Sequence, residues 1–271
     1  MIVHLIDGTY ELFRHFYGLR RFHKTDPPMG AVHGVLGTVV QMLEGGATHI
    51  GVATDHIIES FRNELWAGYK TGAGIERALW NQFQPLEDSL MAMGVATWPM
   101  VELEADDALA SAAFLAARDE RVEKVSIWTP DKDLAQCVTG DRVVQVDRKS
   151  GQIRDEEGVR RKFGVLPKFI PDYLALVGDA ADGYPGIPRC GPKTAASLIT
   201  RYGPIEDFPP EVLGPQNHEL AKLFKRLATL RRDARLFSDV EELRWQGPKP
   251  SFQGEPALMK RITTVMGRWD L

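Results

Sequence analysis

Cysteine is nearly absent: only Cys137 and Cys190 occur in 271 residues, and they form no C-x-x-C pair. A disulfide framework and a thiolate zinc site are therefore excluded as organising devices, and a reducing cytoplasm fits. No apolar run approaches the ~20 residues that span a bilayer, so no membrane partner is expected. The opening Met1-Ile2-Val3-His4-Leu5-Ile6-Asp7 lacks the basic start and long apolar stretch of a secretory leader. It reads as a first strand. Internal repeats and low-complexity tracts are also missing, which excludes solenoids. So is an excess of positive charge: 33 Lys and Arg face 37 Asp and Glu, a net charge of −4. That figure is an average. Acids crowded into one site would leave basic patches elsewhere, so a nucleic-acid partner stays open.

What is present is an ordinary globular balance, 44% hydrophobic and 26% charged. Short β-rich runs at 2–6, 49–54, 95–98, 125–129 and 143–146 alternate with helix-like segments at 10–17, 31–43, 78–93, 106–118 and 132–138. This alternation predicts an α/β fold, a mostly parallel central sheet with helices on both faces. Beyond residue 155 the pattern turns helical, at 156–163, 169–177, 193–202 and 218–236. We therefore expect an α/β domain over 1–155 and a helical region over 156–271. In the tail, 240–245 reads as a strand and 256–265 as a helix.

Four predicted strands each deliver a carboxylate at or just past the carboxyl end: Asp7, Asp55, Glu104 and Asp131. In an open parallel sheet those ends share one crevice. Repelling carboxylates gathered there need hard divalent cations, such as magnesium or manganese. Two positions are reinforced, in Glu104-Ala105-Asp106-Asp107 and Asp131-Lys132-Asp133. Asp179 and Asp182 add a pair whose spacing suits one face of a helical turn. Taken singly, each acid has a competing reading as a helix cap or turn residue. The coincidence of all of them favours a metal site.

Arg62 suits a bidentate phosphate clamp, Lys70 a positive charge on a phosphodiester, and Tyr69 a stacking platform for a base. The competing reading is a solvated amphipathic helix with Phe61, Leu65 and Tyr69 inward. Arg189-Cys190-Gly191-Pro192-Lys193-Thr194 is a tight turn opening a helix, with free N–H groups for an anion. It is equally a plain helix start. Lys222, Lys225, Arg226, Arg231, Arg232 and Arg235 form a basic stripe that reads as a solvated face.

In chain order these fragments resemble the bacterial and phage 5′ nuclease family, which includes the 5′→3′ exonuclease domain of DNA polymerase I and the flap endonucleases. The match rests on Leu5-Ile6-Asp7-Gly8-Thr9, Phe61-Arg62, Tyr69-Lys70, Glu104-Ala105-Asp106-Asp107, Thr129-Pro130-Asp131-Lys132-Asp133-Leu134, Gly178-Asp179 with Asp182, and Gly191-Pro192-Lys193-Thr194-Ala195. The resemblance implies a PIN-like nuclease fold with two metal sites. Asp7, Asp55, Glu104 and Asp106 would form one; Asp131, Asp133, Asp179 and Asp182 would form the other, with Asp107 nearby. It implies Lys70 as catalytic lysine at the base of an arch around 62–85, Arg62 as a second catalytic residue that contacts substrate, and further substrate contacts from Tyr69 and Arg14. It also implies a helix–hairpin–helix over about 168–203 that grips duplex DNA through Arg189, Gly191, Lys193 and Thr194, around a potassium ion. Two magnesium ions about 3.5–4 Å apart, with manganese as a substitute, would activate water and stabilise the leaving oxygen.

The chain departs from the family pattern at Thr54, where phenylalanine is usual, and at Ala181-Asp182-Gly183. It departs again at Arg189, in place of a hairpin glycine, and at Thr71-Gly72-Ala73-Gly74 beyond Lys70. The expected activity is 5′→3′ exonuclease and structure-specific flap endonuclease on DNA with 5′ ends, flaps or forks. The expected setting is a cytoplasmic, nucleoid-associated monomer in replication or repair, acting alone because no polymerase module follows. A non-cleaving binder of forked DNA and a ribonuclease on the same fold are the rivals. Clustered acids facing phosphate disfavour the first, and the duplex-gripping hairpin disfavours the second.

Overall fold

The computed structural model describes residues 1–20 and 27–269. The first half runs β1 (Ile2–Asp7), α1 (Gly8–Leu19), α2 (Gly30–Glu44), β2 (His49–Asp55), α3 (Phe61–Leu65), α4 (Arg77–Trp80), α5 (Phe83–Ala92), β3 (Ala96–Met100), α6 (Ala105–Ala117), β4 (Lys124–Trp128), β5 (Val143–Asp147) and β6 (Gln152–Arg154). The second is helical: α7 (Glu156–Phe163), α8 (Ile170–Val177), α9 (Pro192–Tyr202), α10 (Pro210–Leu213), α11 (Pro215–Ala228) and α12 (Pro256–Trp269).

The strands form one sheet in the order β3-β2-β1-β4-β5-β6. All neighbours pair parallel except the short β6, which returns antiparallel on β5 and was not anticipated from the sequence. Alternation along β1 sends Ile6 into a core with α1, α2, α5 and α12, and Val3 and Leu5 into a second core with α6. The sheet is thus covered on both faces, as expected. A third core joins α7, α8, α9 and α11 and takes in Tyr69.

Several elements differ from expectation for identifiable reasons. The segment 78–93 splits into α4 and α5. Pro85 has no N–H with which to continue a helix through residue 81. The break also frees Gln82, whose Oε1 accepts the N–H groups of Ala31 and Val32 at the start of α2. Residues 132–138 make a 3-10 turn, Asp133–Cys137. The helix expected to reach 236 stops at Ala228. Past it, side chains of the sheet region take the backbone donors: Gln136 accepts from Leu230, Asp107 from Arg231 and Ser111 from Ala234. The expected strand at 240–245 is a 3-10 turn, Val240–Leu243, with one bridge between Arg244 and His49.

Candidate metal centre

Parallel strands bring Asp7 and Asp55 to the same edge of the sheet. Asp7 caps α1: its Oδ1 accepts the Tyr10 N–H at 2.8 Å, and its Oδ2 accepts the Thr129 hydroxyl at 3.1 Å. Asp55 Oδ1 accepts the Ala105 N–H at 2.8 Å, which fixes the start of α6 against β2. Glu104 caps α6 and is buried. Its Oε1 accepts from Ser60 at 2.6 Å and Arg62 at 3.0 Å, and its Oε2 meets Lys70 Nζ at 2.7 Å. Asp106 is partly exposed in the first turn of α6, and Asp131 is exposed in the loop after β4.

The second group forms where α8 ends. Gly178 (φ 88°) and Gly186 (φ 72°) cross so closely that a Cβ on Gly178 would lie 2.4 Å from the Pro185 carbonyl carbon. Only glycine fits that crossing. Asp179 and Tyr184 then exchange backbone hydrogen bonds, so Asp179 and Asp182 sit on a tight turn rather than on the helical turn their spacing suggested. One carboxylate oxygen each from Asp133, Asp179 and Asp182 lie within 4.8 Å of one another, all three residues buried. Asp133 Oδ1 and the Tyr184 hydroxyl are buried with no hydrogen-bond partner.

The electrostatics follow from this crowding. Burial, then the charges of Asp55 and Asp131, push the Asp7 carboxyl up to about 7 against the pull of the Tyr10 N–H. Asp106 is raised well above the usual carboxylate range by burial and by Asp131 and Asp7. Burial and the charges of Asp131, Asp182 and Asp179 do the same to Asp133. Burial raises Asp182 to about 6, with Lys70 opposing and Asp179 adding. Glu104 goes the other way: burial is outweighed by Lys70 and Arg62, which hold it below its ordinary value. Lys70 bridges the two groups, 2.7 Å from Glu104 and 3.1 Å from Asp182. Lys132 sits 2.7 Å from Asp179. An orphaned buried oxygen in a converging all-carboxylate set is the donor chemistry that hard divalent cations take. The residues present fit such an ion.

Three site residues take places other than those expected. Arg62 is 1% exposed. Its guanidinium is spent on Asp107, Glu104 and the carbonyls of Leu227 and Thr229, which leaves no face for a phosphate. Asp107 is fully buried, and both its oxygens are taken by Arg62 and the N–H groups of Glu104 and Arg231. It is a structural anchor with no lone pair directed at a metal. Tyr69 is 4% exposed and directs its hydroxyl to Glu104 Oε2 at 3.3 Å, so it cannot stack on a base. Arg14 stays partly exposed, paired with Glu11 at 2.5 Å. Arg189, Gly191, Lys193 and Thr194 are exposed together at the start of α9. Arg189 holds φ 66°, the conformation for which glycine is favoured. Ser60, Lys132 and Tyr184 also line the site. Of these only Lys132, flanked by Asp131 and Asp133, carried a signal.

The comparisons with known proteins bear on this site. Residues 2–164 match the family model for the 5′-3′ exonuclease N-terminal resolvase-like domain, and residues 165–251 the model for the 5′-3′ exonuclease C-terminal SAM fold. The chain belongs to the 5′-3′ exonuclease family. Its members are nucleases. Among curated relatives, the 5′-3′ exonuclease of Buchnera aphidicola (Schizaphis graminum) is 31% identical, covering 75% of this chain and 71% of its own. The 5′-3′ exonuclease of Aquifex aeolicus is 32% identical over 76% and 71%. DNA polymerase I of Pseudomonas aeruginosa is 34% identical over 93% of this chain, which spans 29% of that longer protein. In fold the chain resembles a bacteriophage T5 protein co-crystallised with metal ions, with a TM-score of 0.70, 18% identity and coverage of 98% and 99%. It also resembles the T5 flap endonuclease in a complex with DNA and metal ions, with a TM-score of 0.67 and 19% identity over the whole of both chains. Among the described residues of this exonuclease family member, no helix is long and apolar enough to cross a membrane.

Proposed function

We propose that the protein is a divalent-metal-dependent 5′→3′ exonuclease and structure-specific flap endonuclease that hydrolyses DNA phosphodiesters, acting as a cytoplasmic, nucleoid-associated monomer in replication or repair. The observation that carries this reading is the buried, unpartnered oxygen of Asp133, converging with Asp179 and Asp182 beside the strand-end acids. Asp7, Asp55, Glu104 and Asp106 would hold one metal. Asp131, Asp133, Asp179 and Asp182 would hold the other. Two bound magnesium ions, with manganese as a substitute, would supply an activated water and a stabilised leaving oxygen. Lys70, between the two carboxylate groups, is placed to meet the negative charge that builds on the scissile phosphate. Asp7 and Asp55 each accept a helix-start N–H, from Tyr10 and Ala105, and would offer their remaining lone pairs to the metal.

Arg14 and the exposed start of α9, with Arg189, Gly191, Lys193 and Thr194, would hold DNA phosphates. A potassium ion at that turn belongs to the same reading. The segment 62–85 would be the arch. Its base is fixed to the turn below: the Lys70 N–H donates to the Asp182 carbonyl, and the Trp66 indole to the Gly183 carbonyl. The 1–155 and 156–271 regions would divide catalysis from duplex grip.

The test is cleavage of a 5′-labelled flap duplex with magnesium, with EDTA, and with Asp131→Asn. Magnesium-dependent flap release that the variant loses is the expected result. Tight binding without cleavage in magnesium and manganese would leave a DNA-structure binder, and cleavage of RNA flaps in preference to DNA would leave the ribonuclease.

A further inference from the structure

A groove of about 1010 Å³ lies on the α1–α2 face of the sheet, away from the carboxylates. Its floor includes His4 on β1 and Trp128 on β4, neighbouring strands in register. The Trp128 indole donates to His4 Nδ1 at 3.1 Å, which fixes the plane of the larger ring. Arg14 enters from α1, and Arg148 and Lys149 from the β5–β6 turn. Arg148 lies 5.9 Å over the Trp128 ring and is held by Gln41 at 2.7 Å. Among the described residues lining this groove none is acidic, in a chain where acids outnumber bases 37 to 33. Burial, and after it the nearby charge of Arg14, depress the Arg148 guanidinium, with Glu11 the acid that opposes them. Like charges brought together around an aromatic floor select a polyanion with flat rings. Only the Trp128 and Arg14 end of the groove connects to the carboxylates, and it does so through the chain itself. Trp128 precedes Thr129, whose hydroxyl binds Asp7, and the Asp7–Tyr10 cap starts the helix that carries Arg14.

We propose that this groove is a path for single-stranded DNA beyond the cleavage site, with a base stacked on Trp128 and phosphates on Arg148, Lys149 and Arg14. The lining runs from Ile2 to Trp128, which pairs with Ile6, so it spans about 13 Å of strand, room for roughly two nucleotides. The inference rests on the nuclease reading above, since it takes the strand from that centre, but it is tested separately.

The experiment measures equilibrium binding of full-length protein in EDTA, by fluorescence anisotropy, to a blunt duplex and to the same duplex with 5′ thymidine flaps of increasing length. Wild type should gain affinity with flap length up to a few nucleotides and then level off. Trp128→Ala should lose about tenfold of that gain. Arg148→Gln with Lys149→Gln should lower the salt dependence of the gain by about 1.4 in log–log slope. Both should keep blunt-duplex binding and magnesium-dependent cleavage. If Trp128→Ala melts early, the charge pair on the surface turn decides. A flap-length gain intact in folded variants overturns the proposal, as does a wild type with no gain at all. Wild type that binds but never cleaves removes the nuclease reading alone, and the flap-length gain still decides the groove.

Discussion

Arg62 grips Asp107 through two bonds of 2.8 Å, one from each terminal nitrogen, in a pocket where the arginine is 1% and the aspartate 0% exposed. An arginine that lay in a segment suited to phosphate is therefore an internal strut. Arg62→Ala should destabilise the fold by about 3–5 kcal/mol, because it leaves Asp107 buried and unpaired. Urea melts would measure it. Loss of cleavage with unchanged stability would return Arg62 to the substrate.

Lys70 shares its ammonium between Glu104 and Asp182. Under the proposed chemistry, Lys70→Ala should lower the single-turnover cleavage rate by about 10²–10³-fold. Duplex binding should change little. A variant that loses binding and rate together would mark Lys70 as an anchor instead.

Proton linkage gives a third prediction. Asp7 titrates near 7 and Asp182 near 6 in the fold, against 3.8 unfolded. The fold therefore favours their neutral forms. Their contribution is full below about pH 4 and is lost as pH rises through the folded values, so metal-free protein should lose stability across that window. Metal binding reverses this by favouring the ionised forms, and it should release protons. Calorimetry in buffers of different ionisation enthalpy should find more protons released by magnesium at about pH 6 than at about pH 8. Equal release at both would contradict the raised values.

Asp133→Asn removes an oxygen that has no other partner. It should weaken manganese binding, read by the metal-dependent rise in melting temperature, by more than the ~10–100-fold that loss of an outer partner costs. Asp107→Asn should leave metal binding nearly intact and lower stability instead. The reverse pattern would exchange their roles.

Tyr184 places an unpartnered buried hydroxyl near Asp133, Asp182 and Asp179, all of which act on its phenol after burial itself. Tyr184→Phe should keep the fold, because the ring packs on Phe224 with centroids 5.4 Å apart. Manganese affinity should fall by ~10-fold if the hydroxyl supports the site. No change would make it a packing residue.

The strands and their terminal acids were legible because period-two patterning and a parallel sheet's common edge leave few alternatives. Which acid serves which end was not. Asp106 and Asp107 are neighbours in sequence, and only the arrival of Arg62 from α3 and of the 229–236 segment makes one of them structural. The break at Pro85 has a local cause, the proline itself; the stop at Ala228 does not, because the partners that halt the helix lie about 90 to 120 residues away. Thr54, which departs from the family pattern, is explained by a contact no local signal announces: its hydroxyl donates to the buried Glu87, which also meets His56.

The segment after α11 hands its backbone donors to Gln136, Asp107 and Ser111, while Arg62 reaches back to the carbonyls of Leu227 and Thr229. Stitched from both directions, neither half can open without exposing the other's unmet polar groups. The nuclease sheet and its helical companion should therefore melt as one cooperative unit, and any force that pries the helices from the sheet would first dismantle the carboxylates' own scaffold.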